Sequence, residues 1–200
     1  YLEQLSALDL TLEIELGVTG GIEEGFDHSE FETSRMYTRP EELATAYEAL
    51  SRISDRFTVA AAFGNVHGVY NPGNVELRPD ILQKAQQRIR KRFETGEHPL
   101  HYVFHGGSGC TRAQIQKAIS YGVVKMNINT DLQWAFWEAV KDYYREHEAY
   151  LQTQVGNPDG PDRPNKPYYK LSSWLREGER GMADRLERTF EDLNCVGRAG

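Results

Sequence analysis

Cysteine is scarce in this chain, with only Cys110 and Cys195 among 200 residues. Two thiols cannot build a disulfide framework, so a reducing, cytoplasmic setting is expected. No apolar run approaches the roughly 20 residues that a membrane span requires, and no signal-peptide pattern is visible. Positive charge is in deficit, acidic residues outnumbering basic ones 30 to 23 for a formal charge of −7. That balance disfavours a nucleic-acid partner, because gripping a phosphate backbone takes a basic surface. The basic run Arg88-Ile89-Arg90-Lys91-Arg92 reads as a solvated helix face. An initiator methionine is also missing, and Tyr1 to Leu8 reads as the tail of an amphipathic helix. The expectation is a chain that begins in mid-fold.

What is present centres on Val103-Phe104-His105-Gly106-Gly107-Ser108-Gly109-Cys110. A short apolar run ends on a histidine, and a glycine-rich turn then opens a helix over Thr111–Ser120. A strand delivers a polar side chain to a sheet end in this way, and backbone amides free of Cβ crowding can approach an anion. The plan recurs at Val59-Ala60-Ala61-Ala62-Phe63-Gly64-Asn65-Val66-His67-Gly68.

Leu10 to Gly17 alternates apolar and acidic residues, a period-two strand with Glu13 and Glu15 on one face. A glycine-rich turn and the acidic loop around Glu23 and Glu24 follow. Thr38-Arg39-Pro40 starts a helix to about Ile53, with Thr38 as its cap. Phe57–Phe63 is a near-continuous apolar strand of the kind covered on both faces. A helix spans Arg78 to about Phe93, strands cover His101–Phe104 and Val123–Asn127, and a long helix covers Leu132–Gln154. Gly156–Pro167 holds four prolines and reads as an extended connection, reaching to about residue 172, before a last helix over Ser173–Asn194.

Strands alternating with helices imply a parallel α/β sheet with right-handed crossovers. Four such units make about half of an eight-stranded TIM barrel, with a complete doubly wound sheet as the alternative. Polar residues at each strand's carboxyl end (Glu15, His67, His105, Asn127) favour the half barrel, and 1–200 is expected to form a single domain of that kind. Neutral imidazole suits zinc, and catalytic zinc keeps about three protein ligands and one open position. His67 and His105, equivalent in successive units, are candidates. Gly106-Gly107-Ser108 and Asn127-Ile128-Asn129-Thr130 each sit where a strand feeds a helix, as a phosphate cradle does. A Lewis-acidic ion beside a phosphorylated substrate could stabilise an enolate while a carboxylate moves the proton. A zinc hydrolase is the competing chemistry, but it leaves both phosphate loops unexplained.

Together, Leu12-Glu13-Ile14-Glu15-Leu16-Gly17, Phe63-Gly64-Asn65-Val66-His67-Gly68-Val69-Tyr70, Val103-Phe104-His105-Gly106-Gly107-Ser108-Gly109 and Val124-Lys125-Met126-Asn127-Ile128-Asn129-Thr130 resemble class II, zinc-dependent fructose-bisphosphate aldolase over essentially all 200 residues. The resemblance implies the C-terminal portion of a (β/α)8 barrel enzyme that dimerises. Such an enzyme cleaves fructose 1,6-bisphosphate reversibly to dihydroxyacetone phosphate and glyceraldehyde 3-phosphate. It implies His67 and His105 as ligands of catalytic zinc and Glu15 at a second divalent metal position. Gly68, Gly106, Gly107 and Ser108 would meet the ketose phosphate or a monovalent cation beside it. Asn127, Ile128, Asn129 and Thr130 would bind the dihydroxyacetone phosphate moiety, and Glu23 would handle a proton.

Several positions depart from the family pattern. Ile22 follows Gly20-Gly21 where an acid is usual, Asn129 replaces an aspartate, and Asn71 stands where lysine is common. Ser172 occupies the place of an arginine that would reach the partner subunit's substrate phosphate, and such a bidentate donor is not easily replaced. The family's first zinc histidine and its proton-donating aspartate belong to the earlier half of the barrel. The 200 residues alone are therefore expected to be inactive. A tagatose-bisphosphate aldolase and a non-catalytic dimerisation partner are the alternatives within this resemblance.

Overall fold

Leucine and isoleucine at every second position of Leu12–Leu16 give β1 one apolar face, and in a computed structural model of the chain that face turns into the core. The structure describes residues 1–23, 26–27, 36–67 and 75–198, with side chains described for 1–19, 36–66 and 75–198. The chain forms two compact units, Tyr1–Asn129 and Thr130–Gly200.

The first unit opens with helix α1 (Leu2–Ala7) and β1, followed by the short strands β2 (Gly20–Glu23) and β3 (Phe26–Asp27). Helix α2 (Pro40–Ser51), strands β4 (Phe57–Ala61) and β5 (Val66–His67), and helix α3 (Asp80–Phe93) come next. Strand β6 (Tyr102–Phe104), helix α4 (Arg112–Ile119) and strand β7 (Val123–Met126) complete it. Strands β1, β4, β6 and β7 form one sheet in that order, every neighbouring pair parallel. The α/β class expected from the sequence is therefore present, with its strands laid down in chain order.

One face of the sheet packs on helices. Leu43 of α2 and Leu82 and Ile89 of α3 are buried with Val59, Phe63, Leu100, Tyr102 and Phe104. Phe63 meets Phe104 edge to face at 4.7 Å. Burying such a ring contributes about 1.5–3 kcal/mol, so this cluster anchors the two strands that end nearest the histidines. Gln86, also buried, donates to the carbonyls of Leu100 (2.7 Å) and Tyr121 (3.1 Å) and accepts from the Leu100 amide (3.2 Å). Its side chain thus ties α3 to the entry of β6.

Two local details depart from the sequence expectation. Thr38 does not cap α2; Arg39 holds that position, its amide donating to Glu42 Oε2 at 2.9 Å. The Thr38 hydroxyl instead donates to Leu16 O (2.6 Å) and accepts from Ala62 N (2.9 Å), stitching the ends of β1 and β4. Pairing across β6 and β7 also slips, from Tyr102↔Val123 to Val103↔Lys125, a bulge that leaves Val124 exposed and re-aims Lys125. By contrast α4 begins as expected, with Thr111 accepting from Gln114 N and Gln114 accepting from Thr111 N, a capping box worth about 1 kcal/mol.

In the second unit α5 (Thr130–His147) and α7 (Leu171–Asp192) pack along each other. Glycine makes the close approach possible, since a Cβ on Gly181 would lie 2.7 Å from Ala135 O. Arg185 pairs with Asp131 at 2.7 Å. The segment read as an extended connection holds an antiparallel hairpin, β8 (Val155–Asn157) with β9 (Gly160–Pro164), and then the short helix α6 (Lys166–Tyr169). Asn157 accepts from the Asp159 amide and turns the chain. Buried Asn165 holds the hairpin by donating to Thr153 O (2.8 Å) and Gly156 O (3.0 Å). Helix α5 ends at His147 rather than running to Gln154.

Candidate active site

The face of the main sheet turned away from the helices is charged. Glu13 and Glu15 project from β1 together, as the alternation requires, and His105 follows β6 directly. His105 Nε2 lies 2.9 Å from Glu13 Oε1, and Nδ1 lies 3.6 Å from Glu15 Oε2. The other oxygen of Glu13 accepts from Lys125 Nζ on β7 at 2.7 Å. Strands β1 and β7 are the two edges of the sheet, about 14 Å apart if it were flat at roughly 4.8 Å per strand. Side chains from both edges nonetheless meet over the middle strands, where Lys125 of β7 reaches Glu13 of β1. Ala60 and Val103 on the middle strands form a small apolar floor beneath them.

The rest of the cluster is built from loops. The Thr19 hydroxyl donates to Glu15 Oε1 (2.9 Å), and Asn65 Nδ2 reaches both Thr19 Oγ1 (3.3 Å) and the His105 carbonyl (2.9 Å). Gly106 has φ +65°, and a Cβ there would sit 2.3 Å from Val66 O, so only glycine lets the chain turn directly after His105. Gly107 donates its amide to Asn127 O (3.1 Å) and packs flat on Met126, while Asn127 N donates to Phe104 O (2.8 Å). The two loops read as phosphate cradles are thus joined to each other, with the Gly107 amide engaged by that bond. Ser108 is buried in the same turn. Ile128 and Asn129 continue the loop after Asn127, and Thr130 is the first residue of α5 in the second unit.

The remaining sequence candidates fall at the margin of what is described. His67 ends β5 and lies in register with Gly21 of β2, so its backbone adjoins the strand that carries Glu23; neither side chain is among the described ones. Gly68 lies outside the described residues. Among the described residues no set of three or more His, Cys, Asp or Glu could hold a metal ion. His105 and Glu15 do fit a shared ion as a pair. Zinc–nitrogen and zinc–oxygen bonds of about 2.0–2.2 Å at tetrahedral angles put two donors about 3.4 Å apart, close to the 3.6 Å found. With an ion bound, a proton on Nε2 donated to Glu13 would leave the lone pair of Nδ1, the nitrogen beside Glu15, for the ion. Sequence reasoning missed Lys125, Asn65 and Thr19. A lysine inside a parallel strand was the available signal for the first.

Electrostatics favour a charged cluster. Hydrogen bonding to Glu15 raises the pKa of His105 above its ordinary 6.5 against a burial effect that lowers it, with Glu13 adding to the rise. Partial burial works to raise Glu13, but the hydrogen bonds from Lys125 and His105 prevail and hold it below its ordinary 4.5. The raised group stabilises fully below about pH 6.5 and loses its contribution as pH rises through its folded pKa; the lowered group stabilises above about pH 4.5 and loses it as pH falls through its own. The two overlap between those values. In chelator, the stability difference between the chain and its His105→Gln variant is therefore expected to peak near pH 5–6, at about 0.2–1 kcal/mol for partly exposed pairs. Thermal melts from pH 4 to 9 check this.

Comparison with known proteins identifies the framework. Residues 1–198 match the family model for class-II fructose-bisphosphate aldolase. A fructose-bisphosphate aldolase of Campylobacter jejuni is 54% identical over 199 residues, covering 99% of this chain and 56% of that protein. The fructose-bisphosphate aldolase class 2 of Escherichia coli K12 is 55% identical over 196 residues, covering 98% and 55%. The crystal structure of the Campylobacter jejuni aldolase superposes with a TM-score of 0.84, over 98% of this chain and 55% of that one. The chain spans about half the length of these relatives. On sequence and fold together, it belongs to the class II fructose-bisphosphate aldolase family.

Proposed function

We propose that these residues supply one side of the active site of a metal-dependent aldolase acting on fructose 1,6-bisphosphate. The observation that carries the proposal is the meeting of His105 and Glu15, at a separation an ion can bridge, at the carboxyl end of a parallel sheet. Strand ends of that kind are where barrel enzymes hold their chemistry. Strands in chain order, with no reversal, and a side-chain contact from Glu13 on one edge strand to Lys125 on the other favour half of a (β/α)8 barrel over a doubly wound sheet.

His105 and His67 would hold the ion, and Glu15, which the resemblance assigns to a second metal position, would share it from 3.6 Å beside His105 Nδ1; when bound, the ion supplies Lewis acidity toward the ketose carbonyl. Glu13 fixes the His105 ring through Nε2, and Lys125 neutralises Glu13 so that the cluster does not carry an unbalanced carboxylate. The turn Gly106-Gly107-Ser108, with Gly68, and the run Asn127-Ile128-Asn129-Thr130 would position the phosphorylated sugar. Glu23 would move the proton. The resemblance extends this reading to zinc as the catalytic ion, to a second divalent and a monovalent cation, and to a cytoplasmic homodimer.

A chimera carrying this chain in place of its 54%-identical counterpart in the Campylobacter jejuni enzyme tests the proposal. Cleavage of fructose 1,6-bisphosphate that is abolished by chelator and restored by zinc is expected. Preferential cleavage of tagatose 1,6-bisphosphate would reassign the sugar, and a folded chimera without aldol cleavage would refute the reading.

A further inference from the structure

Asn65 is 2% exposed, and its side chain touches three successive strand ends. Its Oδ1 accepts from the Phe63 amide at 2.8 Å, after β4. Its Nδ2 donates to the His105 carbonyl at 2.9 Å, after β6, and to Thr19 Oγ1 at 3.3 Å, after β1. An amide N–H can only donate and a carbonyl can only accept, so these partners permit a single orientation of the carboxamide. Thr19, itself buried, accepts from Asn65 and passes its one hydroxyl proton to Glu15 Oε1 at 2.9 Å. The Asn65 carboxamide therefore acts on His105 through the main chain and on Glu15 through one hydroxyl. It also lies two residues before His67.

We propose that Asn65, acting with Thr19, is the positioning residue of this site. The carboxamide holds the carboxyl ends of β1, β4 and β6 in the register at which Nδ1 of His105 and Oε2 of Glu15 stand at an ion-sharing separation. The proposal rests on the reading that His105 and Glu15 bind the ion, and it deepens that reading by naming what sets their spacing. A side chain present only to close the turn at Phe63 would need the Oδ1 bond alone. The two Nδ2 bonds go instead to the carbonyl of one donor and to the hydroxyl that orients the other.

The experiment titrates Zn2+ into the full chain against a chromophoric chelator, with folding followed by circular dichroism under the same conditions. Asn65→Asp keeps the acceptor for Phe63 but turns a carboxylate oxygen on the His105 carbonyl. It is expected to weaken zinc binding about 10–100-fold, the usual range for lost outer partners of ligands. Thr19→Val keeps shape and removes both hydroxyl bonds, so about a tenfold loss is expected, whereas Thr19→Ser restores binding to within about twofold. Should Asn65→Asp fail to fold, the Thr19 pair decides. Folded variants that bind zinc as the parent does, losing only thermal stability, would overturn the positioning role and leave the ion site standing. If His105→Ala also binds like the parent, the ion site itself falls and the positioning role falls with it.

Discussion

Replacing His105 with alanine is expected to reduce kcat/KM for fructose 1,6-bisphosphate in the chimera by about three to four orders of magnitude. Lewis-acid assistance contributes several kcal/mol to such a transition state, and each 1.36 kcal/mol is tenfold in rate. The imidazole does two jobs that no neighbour can take over. Its Nδ1 is the proposed donor beside Glu15, and its Nε2 occupies one oxygen of Glu13. Without the ring, Glu13 still has Lys125, so the charged face keeps its balance and the fold is expected to persist. Steady-state kinetics with zinc analysis of the purified protein check this. Unchanged zinc content with full activity would move the chemistry elsewhere.

Gly106→Ala is expected to be among the most destabilising single-methyl changes in the first unit, at about 3 kcal/mol or more in urea unfolding. The left-handed backbone at φ +65° alone costs an alanine roughly 1–2 kcal/mol. The larger effect is overlap: the new Cβ would lie 2.3 Å from Val66 O and 2.7 Å from its carbonyl carbon. These are backbone atoms, which cannot swing aside as a side-chain end would, so β5 must shift away from the turn after His105. Gly109→Ala provides the control. Its φ is +79°, with nothing within 4 Å of the added Cβ, and only the left-handed cost is expected there. Equal losses at the two positions would show that the close approach to Val66 is unimportant.

Much of the framework was legible because local patterns carried it. Alternation in Leu12–Leu16 placed Glu13 and Glu15 on one face, and the apolar run ending at His105 placed that ring at a strand end. The glycine-rich turn after His105 announced the helix that begins beside Thr111. The hairpin at Val155–Pro164 was misread because prolines suggested an extended segment, whereas Asn157-Pro158-Asp159-Gly160 is turn chemistry. Thr38 looked like a cap because Pro40 follows so closely, yet its hydroxyl serves two strands from distant parts of the chain.

By itself, then, the sequence determined the order of the four main-sheet strands and the principal helices, the residue types at those strand ends and the family, since all of these rest on neighbours within a few positions. Only the tertiary structure decided which groups touch. Lys125 and His105 reach Glu13 across 112 and 92 residues, and Asn65 reaches His105 across 40. Those pairings follow from the order and register of the strands and from the bulge in β7, which depend on how whole strands stack and leave no periodic mark on the residues that carry them.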